Sequence, residues 1–223
     1  MNGSIIVIGD DHPQWCAGLR EPIQALLPEV PVREAHTLDA VVKEVEKSRD
    51  NVELVLLDLV MPGCAEGLAG LLLLRKLFPA VPVAICSALT DPVTIRKAIV
   101  LGASGYIPKT LKFESIQEAI KRMRAGDIWV PPGLSLTSPA GGEEMELARR
   151  FALLSPRQLQ ILNLIRLGKP NKIIADELDV HIQTVRAHVS AIFDRLGLKN
   201  RNRTRNRTRT LAAILAERFL NGN

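Results

Sequence analysis

Short, β-branched apolar runs alternate with stretches of helical period through the first 125 residues. Ile5–Ile8, Val30–Ala35, Glu53–Leu57, Val81–Cys86 and Gly105–Ile107 have the length and composition of strands. Between them, Gln14–Leu27, Leu38–Ser48, Leu68–Phe78, Pro92–Leu101 and Phe113–Ala125 have helical length. Strands that are apolar throughout, rather than alternating, must be covered on both faces, which predicts a parallel sheet between layers of helices. Five such units make an open, doubly wound α/β domain, a (βα)5 arrangement with its functional groups beyond the carboxyl ends of the strands.

The pattern then changes. Residues 126–148 include a run rich in Pro, Gly and Ser that starts at Trp129 and has no periodicity, so they are expected to form a linker, mobile after Pro132. Helical period resumes to the end and predicts an all-α domain over 149–223. Ser155-Pro156-Arg157-Gln158 offers an N-cap, a proline at the first helical position and a glutamine placed to complete a capping box. Asn171–Leu178 and Ile182–Leu196 are helical segments separated by the short turn Asp179-Val180. On the second of them Val185, Val189, Ile192 and Leu196 form one apolar stripe, with Gln183, Arg186, Ala187, Ser190 and Asp194 opposite. The expected organisation is therefore a domain over 1–125, a linker over 126–148 and a helical domain over 149–223.

Composition adds little until charge is divided along the chain. The 223 residues suffice for two ordinary domains, and no apolar run reaches the roughly 18 residues that span a bilayer. The apolar stretch near the start is only Ile5–Ile8 and has no basic residues before it, too short for a signal peptide. Cys16, Cys64 and Cys86 show no metal-ligand spacing, which suits the reduced cytoplasm. The net charge of +5 conceals a strong asymmetry. Residues 1–125 carry 14 Lys/Arg against 15 Asp/Glu, residues 126–148 carry four acids and no base, and residues 149–223 carry 15 bases against 5 acids. A near-neutral front half joined to a basic back half suggests a sensing module tethered to one that meets phosphate backbones.

Chemistry-bearing side chains fall where the predicted strands end. Asp10-Asp11 follows the first strand, Asp58 the third and Ser87 the fourth, and Lys109 comes shortly after the fifth. In a parallel sheet these points converge. Three carboxylates in one crevice repel each other unless a cation joins them, and hard oxygens suit Mg2+. A metal and a lysine would neutralise an incoming phosphoryl group, leaving one carboxylate as nucleophile.

The strings Ile-Gly-Asp10-Asp11-His-Pro, Val-Leu-Leu-Asp58-Leu-Val-Met-Pro-Gly, Ser87-Ala and Gly-Ala-Ser-Gly-Tyr106-Ile-Pro-Lys109 together resemble a response-regulator receiver domain. That resemblance implies that Asp58 is the phosphoacceptor. Asp11, Asp58 and the Val60 carbonyl would hold Mg2+, with Asp10 helping through water. Lys109 would pair with the phosphoryl group, Ser87 would close onto it and Tyr106 would rotate inward. After Met61-Pro62-Gly63 the loop runs Cys64-Ala65-Glu66-Gly67, where the family commonly has a shorter turn.

In the back half, Leu-Ser-Pro-Arg-Gln, Gly168-Lys-Pro-Asn171-Lys172-Ile-Ile-Ala175, Thr184-Val185-Arg186-Ala-His188-Val189 and Leu196-Gly-Leu-Lys-Asn-Arg201 resemble the LuxR-type helix-turn-helix. The whole chain is thus similar to the NarL/FixJ class of two-component response regulators. A helix with its back buried and a small, polar, basic front fits a major groove about 12 Å wide. The resemblance turns Arg186, Ala187 and Ser190 toward base edges and puts Lys172, Thr184 and His188 nearer the backbone. Lys169, Arg195, Lys199 and Arg201 flank the helix as candidate phosphate contacts. His181-Ile182 replaces the usual start of the recognition helix and implies weaker capping. Residues 202–209 are Asn-Arg-Thr-Arg twice, an eight-residue insertion before a last helix expected from Thr210 to Leu220.

The resemblance implies a cytoplasmic DNA-binding transcriptional regulator, phosphorylated by a partner sensor histidine kinase, homodimeric when phosphorylated or bound to double-stranded DNA, and not a turnover enzyme. Two other readings of the same residues stand beside it. One is a phosphate-ester hydrolase using Asp11, Asp58 and Mg2+; the other is a DNA-binding or interaction protein whose receiver does not switch.

Overall fold

The computed structural model describes residues 4–61, 68–136, 142–198 and 205–220, with side chains of 208–217 in the last of these. The chain divides into two compact units, Met1–Gly141 and Gly142–Asn223.

In the first unit the strands are β1 (Ile5–Gly9), β2 (Val32–Ala35), β3 (Val52–Leu57), β4 (Val83–Ser87) and β5 (Gly105–Pro108). They form a parallel sheet in the order β2-β1-β3-β4-β5. Helices α1 (Pro13–Leu26), α2 (Leu38–Lys47), α3 (Ala69–Leu77) and α4 (Pro92–Val100) connect them, and α5 (Phe113–Arg124) follows β5. Ile6, Ile8, Leu54, Leu56, Ala84 and Cys86 pack with Leu19 and Ile23 of α1 and Ile116 and Ile120 of α5. The alternate residues Val7, Val55, Leu57, Val83 and Ile85 are buried as well. Covering on both faces is why these strands read as unbroken apolar runs.

The stretch expected to be a linker is structured at both ends. Tyr106 donates its backbone N–H to the Trp129 carbonyl at 2.9 Å, and Trp129 donates to Ser104 at 3.2 Å. The Trp129 ring joins the core beneath α5, an anchor that the Pro/Gly/Ser composition hides. Gly105 permits this close approach, since a Cβ there would lie 2.8 Å from the Trp129 carbonyl oxygen. At the other end α6 (Gly142–Ala152) begins inside the expected linker. Its apolar residues Ala148 and Phe151 are buried in the second unit, so tertiary packing overrides the acidic, glycine-led start.

The second unit continues with α7 (Pro156–Arg166), α8 (Asn171–Glu177), α9 (Ile182–Arg195) and α10 (Arg205–Leu220). The capping box at the start of α7 forms as the sequence predicts, with Gln158 N–H donating to Ser155 Oγ and Ser155 N–H to Gln158 Oε1. Between α8 and α9 the chain turns through Asp179 at φ 49°, the left-handed region that Asp tolerates better than most residues. α9 is capped by an unexpected group: Gln183 N–H donates to His181 Nδ1 at 3.2 Å. Its stripe of Val185, Val189, Ile192 and Leu196 is buried, and Phe193 joins it.

α10 begins at Arg205 rather than Thr210, so the second copy of the repeat is helical. Thr208, Ala212 and Ala216, four apart, are its buried residues among those described, and α10 packs against α7. Arg209 adds a hydrogen bond to Asn171 Oδ1 at 2.6 Å and another to the Lys169 carbonyl. Among the described residues, no helix is long and apolar enough to cross a membrane.

Candidate functional site

The sheet order brings the ends of β1 and β3 side by side at the point where the chain's direction of winding reverses. A backbone bond from Asp58 N–H to the Gly9 carbonyl, 2.8 Å long, sets Asp58 next to Asp10. Another from Lys109 N–H to the Ser87 carbonyl, 2.9 Å, sets the lysine beside the end of β4. The convergence expected from strand ends is thereby made by the ladder itself.

Lys109 Nζ lies 2.6 Å from Asp10 Oδ2 and 2.7 Å from Asp58 Oδ2. Asp10 is 1% exposed and Asp58 3%. Burial raises the Asp58 carboxyl above its ordinary value near 3.8; Lys109 pulls it back, and Asp10 pushes it up further. Burial alone would lower the Lys109 ammonium, but its bonds to Asp10 and Asp58 outweigh that and hold it above 10.5. Ser87 is buried at the same mouth, where its Oγ accepts from Leu89 N–H at 3.3 Å. Tyr106, expected to rotate inward, is already fully buried here, with its hydroxyl donating to the Leu89 carbonyl at 2.6 Å. Val60 is exposed, and a backbone hydrogen bond from it reaches Asp58.

Asp10, Asp11 and Asp58 present carboxylate oxygens within 4.8 Å of one another, and His12 Nδ1 lies within the same cluster. Asp10 Oδ2 is enclosed and held by the Lys109 ammonium at 2.6 Å, and Asp11 Oδ1 lies 2.8 Å from His12 Nδ1. Such a donor set fits a hard divalent cation. The sequence reading missed His12, though it directly follows the Asp pair. It also missed Trp15, whose ring lies 5.7 Å from Lys109 Nζ. A cavity of about 570 Å3 opens over Asp58 between Trp15, Val60, Leu89 and Lys109. Burial pushes the Cys16 thiol up to about 11 and the Cys86 thiol higher still, so both are inert as nucleophiles. Cys64 and the loop from Pro62 to Gly67 lie outside the described residues.

In the second unit the outward face of α9 carries Thr184, Arg186, Ala187 and Ser190, all exposed, with His188 half-buried at its edge. Lys172 is exposed in the first turn of α8. Two of the flanking cations are engaged within the unit. Lys169 Nζ pairs with Glu177 at 2.6 Å, and Arg195 Nη1 donates to the Leu153 carbonyl at 2.7 Å and to Gln158. That carbonyl follows the end of α6 and needs a donor, which is why Arg195 folds back rather than outward. Lys199 and Arg201 lie outside the described residues.

Comparison with known proteins agrees in both units. Residues 6–121 match the response regulator receiver domain, and residues 152–204 match the luxR family of bacterial regulatory proteins. The glycerol metabolism activator of Pseudomonas putida is 36% identical over 202 residues, covering 88% of this chain and 90% of its own. The nitrate/nitrite response regulator protein NarL of Escherichia coli K12 is 31% identical over 198 residues, with the same two coverages. Among solved structures, the RcsB response regulator of Salmonella typhimurium shares the fold at a TM-score of 0.55. It is 21% identical, and the match covers 96% of this chain and 100% of that one.

Proposed function

The chain belongs to the DNA-binding response regulators of the NarL/FixJ class, and we propose that phosphoryl transfer from a partner histidine kinase to Asp58 switches its binding to DNA. The observation that carries this reading is the Asp10–Lys109–Asp58 arrangement, with one ammonium 2.6 and 2.7 Å from two buried carboxylates. A carboxylate oxygen of Asp58 attacks phosphorus, the phosphorus–nitrogen bond of the kinase phosphohistidine breaks, and the imidazole leaves. The product is an acyl phosphate. Lys109 is already within bonding reach of Asp58 Oδ2 and pairs with the new phosphoryl oxygens. Ser87 supplies a hydroxyl from the end of β4.

Asp10, Asp11, Asp58 and the Val60 carbonyl would hold Mg2+, which neutralises charge on the transferring group when bound. Asp58 is modified and later restored by hydrolysis, so the protein acts as a phosphoacceptor and not as a turnover enzyme. On α9, Arg186, Ala187 and Ser190 read base edges. Lys172, Thr184, His188, Lys199 and Arg201 hold the backbone. Relatives of the fold have been seen as dimers on DNA, as with RcsB, and this chain is proposed to bind paired half-sites in the same form.

The buried Tyr106 favours a second reading, in which the receiver rests in its switched state and DNA binding is constitutive. Sizing in solution with Mg2+, with and without beryllofluoride, on wild type and Asp58→Asn distinguishes the two. Dimerisation confined to treated wild type supports the switch. Identical behaviour of all four samples supports constitutive binding.

A further inference from the structure

We propose that the inserted Asn-Arg-Thr-Arg repeat adds a second contact surface for the phosphate backbone of duplex DNA, carried by Arg205 and Arg207 in the first turn of α10. The inference rests on the second unit being a DNA-binding domain, and it extends the binding surface beyond α8 and α9. The eight residues 202–209 contain four arginines and no acid. From Arg205 onward they are helical and continuous with α10.

Two hydrogen bonds fix where this turn lies. Arg209, the last residue of the repeat, donates to Asn171 Oδ1 at 2.6 Å and to the Lys169 carbonyl. Asn171 is the first residue of α8, and its neighbour Lys172 is exposed. Lys172 is itself proposed as a contact to the DNA backbone. The buried stripe of Thr208, Ala212 and Ala216 sets the rotation of α10 about its axis. Position 205 stands four residues before Arg209, on the same helix face and about 6 Å farther along the axis. The arginine-rich start of α10 therefore adjoins the start of α8, and the basic positions of the two form one continuous edge.

The stability of α10 does not call for these charges. The helix macrodipole favours acids in a first turn, and α10 has none there. Residues 149–223 already carry 15 bases against 5 acids, so further arginines add to self-repulsion. Lys169, at the same corner, is neutralised by Glu177 within the unit. A polyanion relieves both costs. The arginine fork matches phosphate oxygens, and each phosphate neutralised releases condensed counterions. Contacts of this kind strengthen binding to every sequence alike.

The test is fluorescence anisotropy of a labelled random-sequence duplex titrated with the full chain at several salt concentrations, with and without Mg2+ and beryllofluoride. Wild type is compared with Arg205→Gln plus Arg207→Gln, and with Arg205→Lys plus Arg207→Lys. The glutamine pair should lower the slope of log affinity against log salt by about 0.9 for each lost contact, and the lysine pair should keep the wild-type slope. Glutamine and arginine have similar helix propensity, so the far-UV dichroism transition of the glutamine pair should stay in place or rise. A wild-type slope in the glutamine pair overturns the proposal, and the repeat is then only a surface extension of α10. A lowered slope that the lysine pair shares also overturns it, since the loss then follows from structure rather than charge. Wild type that does not bind the duplex fails the DNA-binding reading itself, and this inference falls with it.

Discussion

Replacing Lys109 with methionine keeps most of the side-chain volume and removes the ammonium between Asp10 and Asp58. Deleting one partner of a buried ion pair costs about 3–5 kcal/mol, because the other charge is left desolvated. Lys109 is 15% exposed at the crevice mouth, where water reaches it, so the expected loss at neutral pH is nearer 2–3 kcal/mol. Urea unfolding followed by tryptophan fluorescence measures this unit alone, because Trp15 and Trp129 both lie within it. With a slope of about 1–3 kcal/mol per molar urea, the midpoint falls by roughly 1–2 M. The pH dependence is the sharper test. The wild-type Lys109 ammonium is held above 10.5, so it stays charged through neutral pH and its contribution fades at the alkaline end only as pH rises through that higher value. At the acid end it lasts as long as its carboxylate partners stay ionised. Asp58 already sits above 3.8 because of burial, and Lys109 is what restrains it; in the variant it rises further and takes up a proton at higher pH. The stability deficit should therefore grow as pH climbs through the Asp58 value and shrink below it, where the Asp58 carboxyl is neutral. Mg2+ at neutral pH should recover part of it by linkage. A deficit that is flat from about pH 4 to pH 8, or a variant as stable as wild type at pH 7, would refute the claim that the ammonium is what makes these buried carboxylates tolerable.

Other outcomes test other parts. Arg186→Gln should reduce discrimination between operator and unrelated duplex by about 1–3 kcal/mol, measured by competition binding. Lys172→Gln should instead weaken both DNAs alike and lower the salt slope by about 0.9. Phe151→Ala empties the core of the second unit and should cost about 3–5 kcal/mol, lowering a far-UV circular dichroism transition while the tryptophan-reported midpoint stays put. Ser155→Ala removes the reciprocal cap of α7 and should lower that same dichroism transition by about 1 kcal/mol.

The sheet and its five helices were legible because unbroken apolar runs have one structural solution, and the acceptor site followed from where those runs end. Asp58, Asp10 and Lys109 meet as their spacing implied, though the backbone bonds that bring them together leave no mark in composition. His12 was passed over because a histidine after two aspartates has no periodic signature of its own. The stretch 126–148 is structured at both ends, for opposite reasons that its composition hides. Trp129 is a single aromatic in a turn-rich stretch, and its anchor is one close approach to Gly105 that local sequence cannot encode. Gly142 to Glu146 is acidic and glycine-led, and becomes helical because Ala148 and Phe151 farther on have a core to enter. Likewise the Asn-Arg-Thr-Arg repeat reads as an insertion before the last helix, but Thr208 falls in register with Ala212 and Ala216 and extends α10 backward.

The Trp129 anchor bears on how molecules of this protein can meet. An open parallel sheet has two borders, and an unoccupied border invites another strand. On the β5 side, Tyr106 N–H is taken by Trp129 and Pro108 has no N–H to offer. On the β2 side the border strand is four residues long, with Arg33 exposed and Glu34 tied to Arg20. Short, charged borders resist extension. Neither flank is open to a continuous sheet between copies, so association is left to the faces of helices. Helix faces can part and rejoin without breaking a backbone ladder, which is what reversible pairing requires.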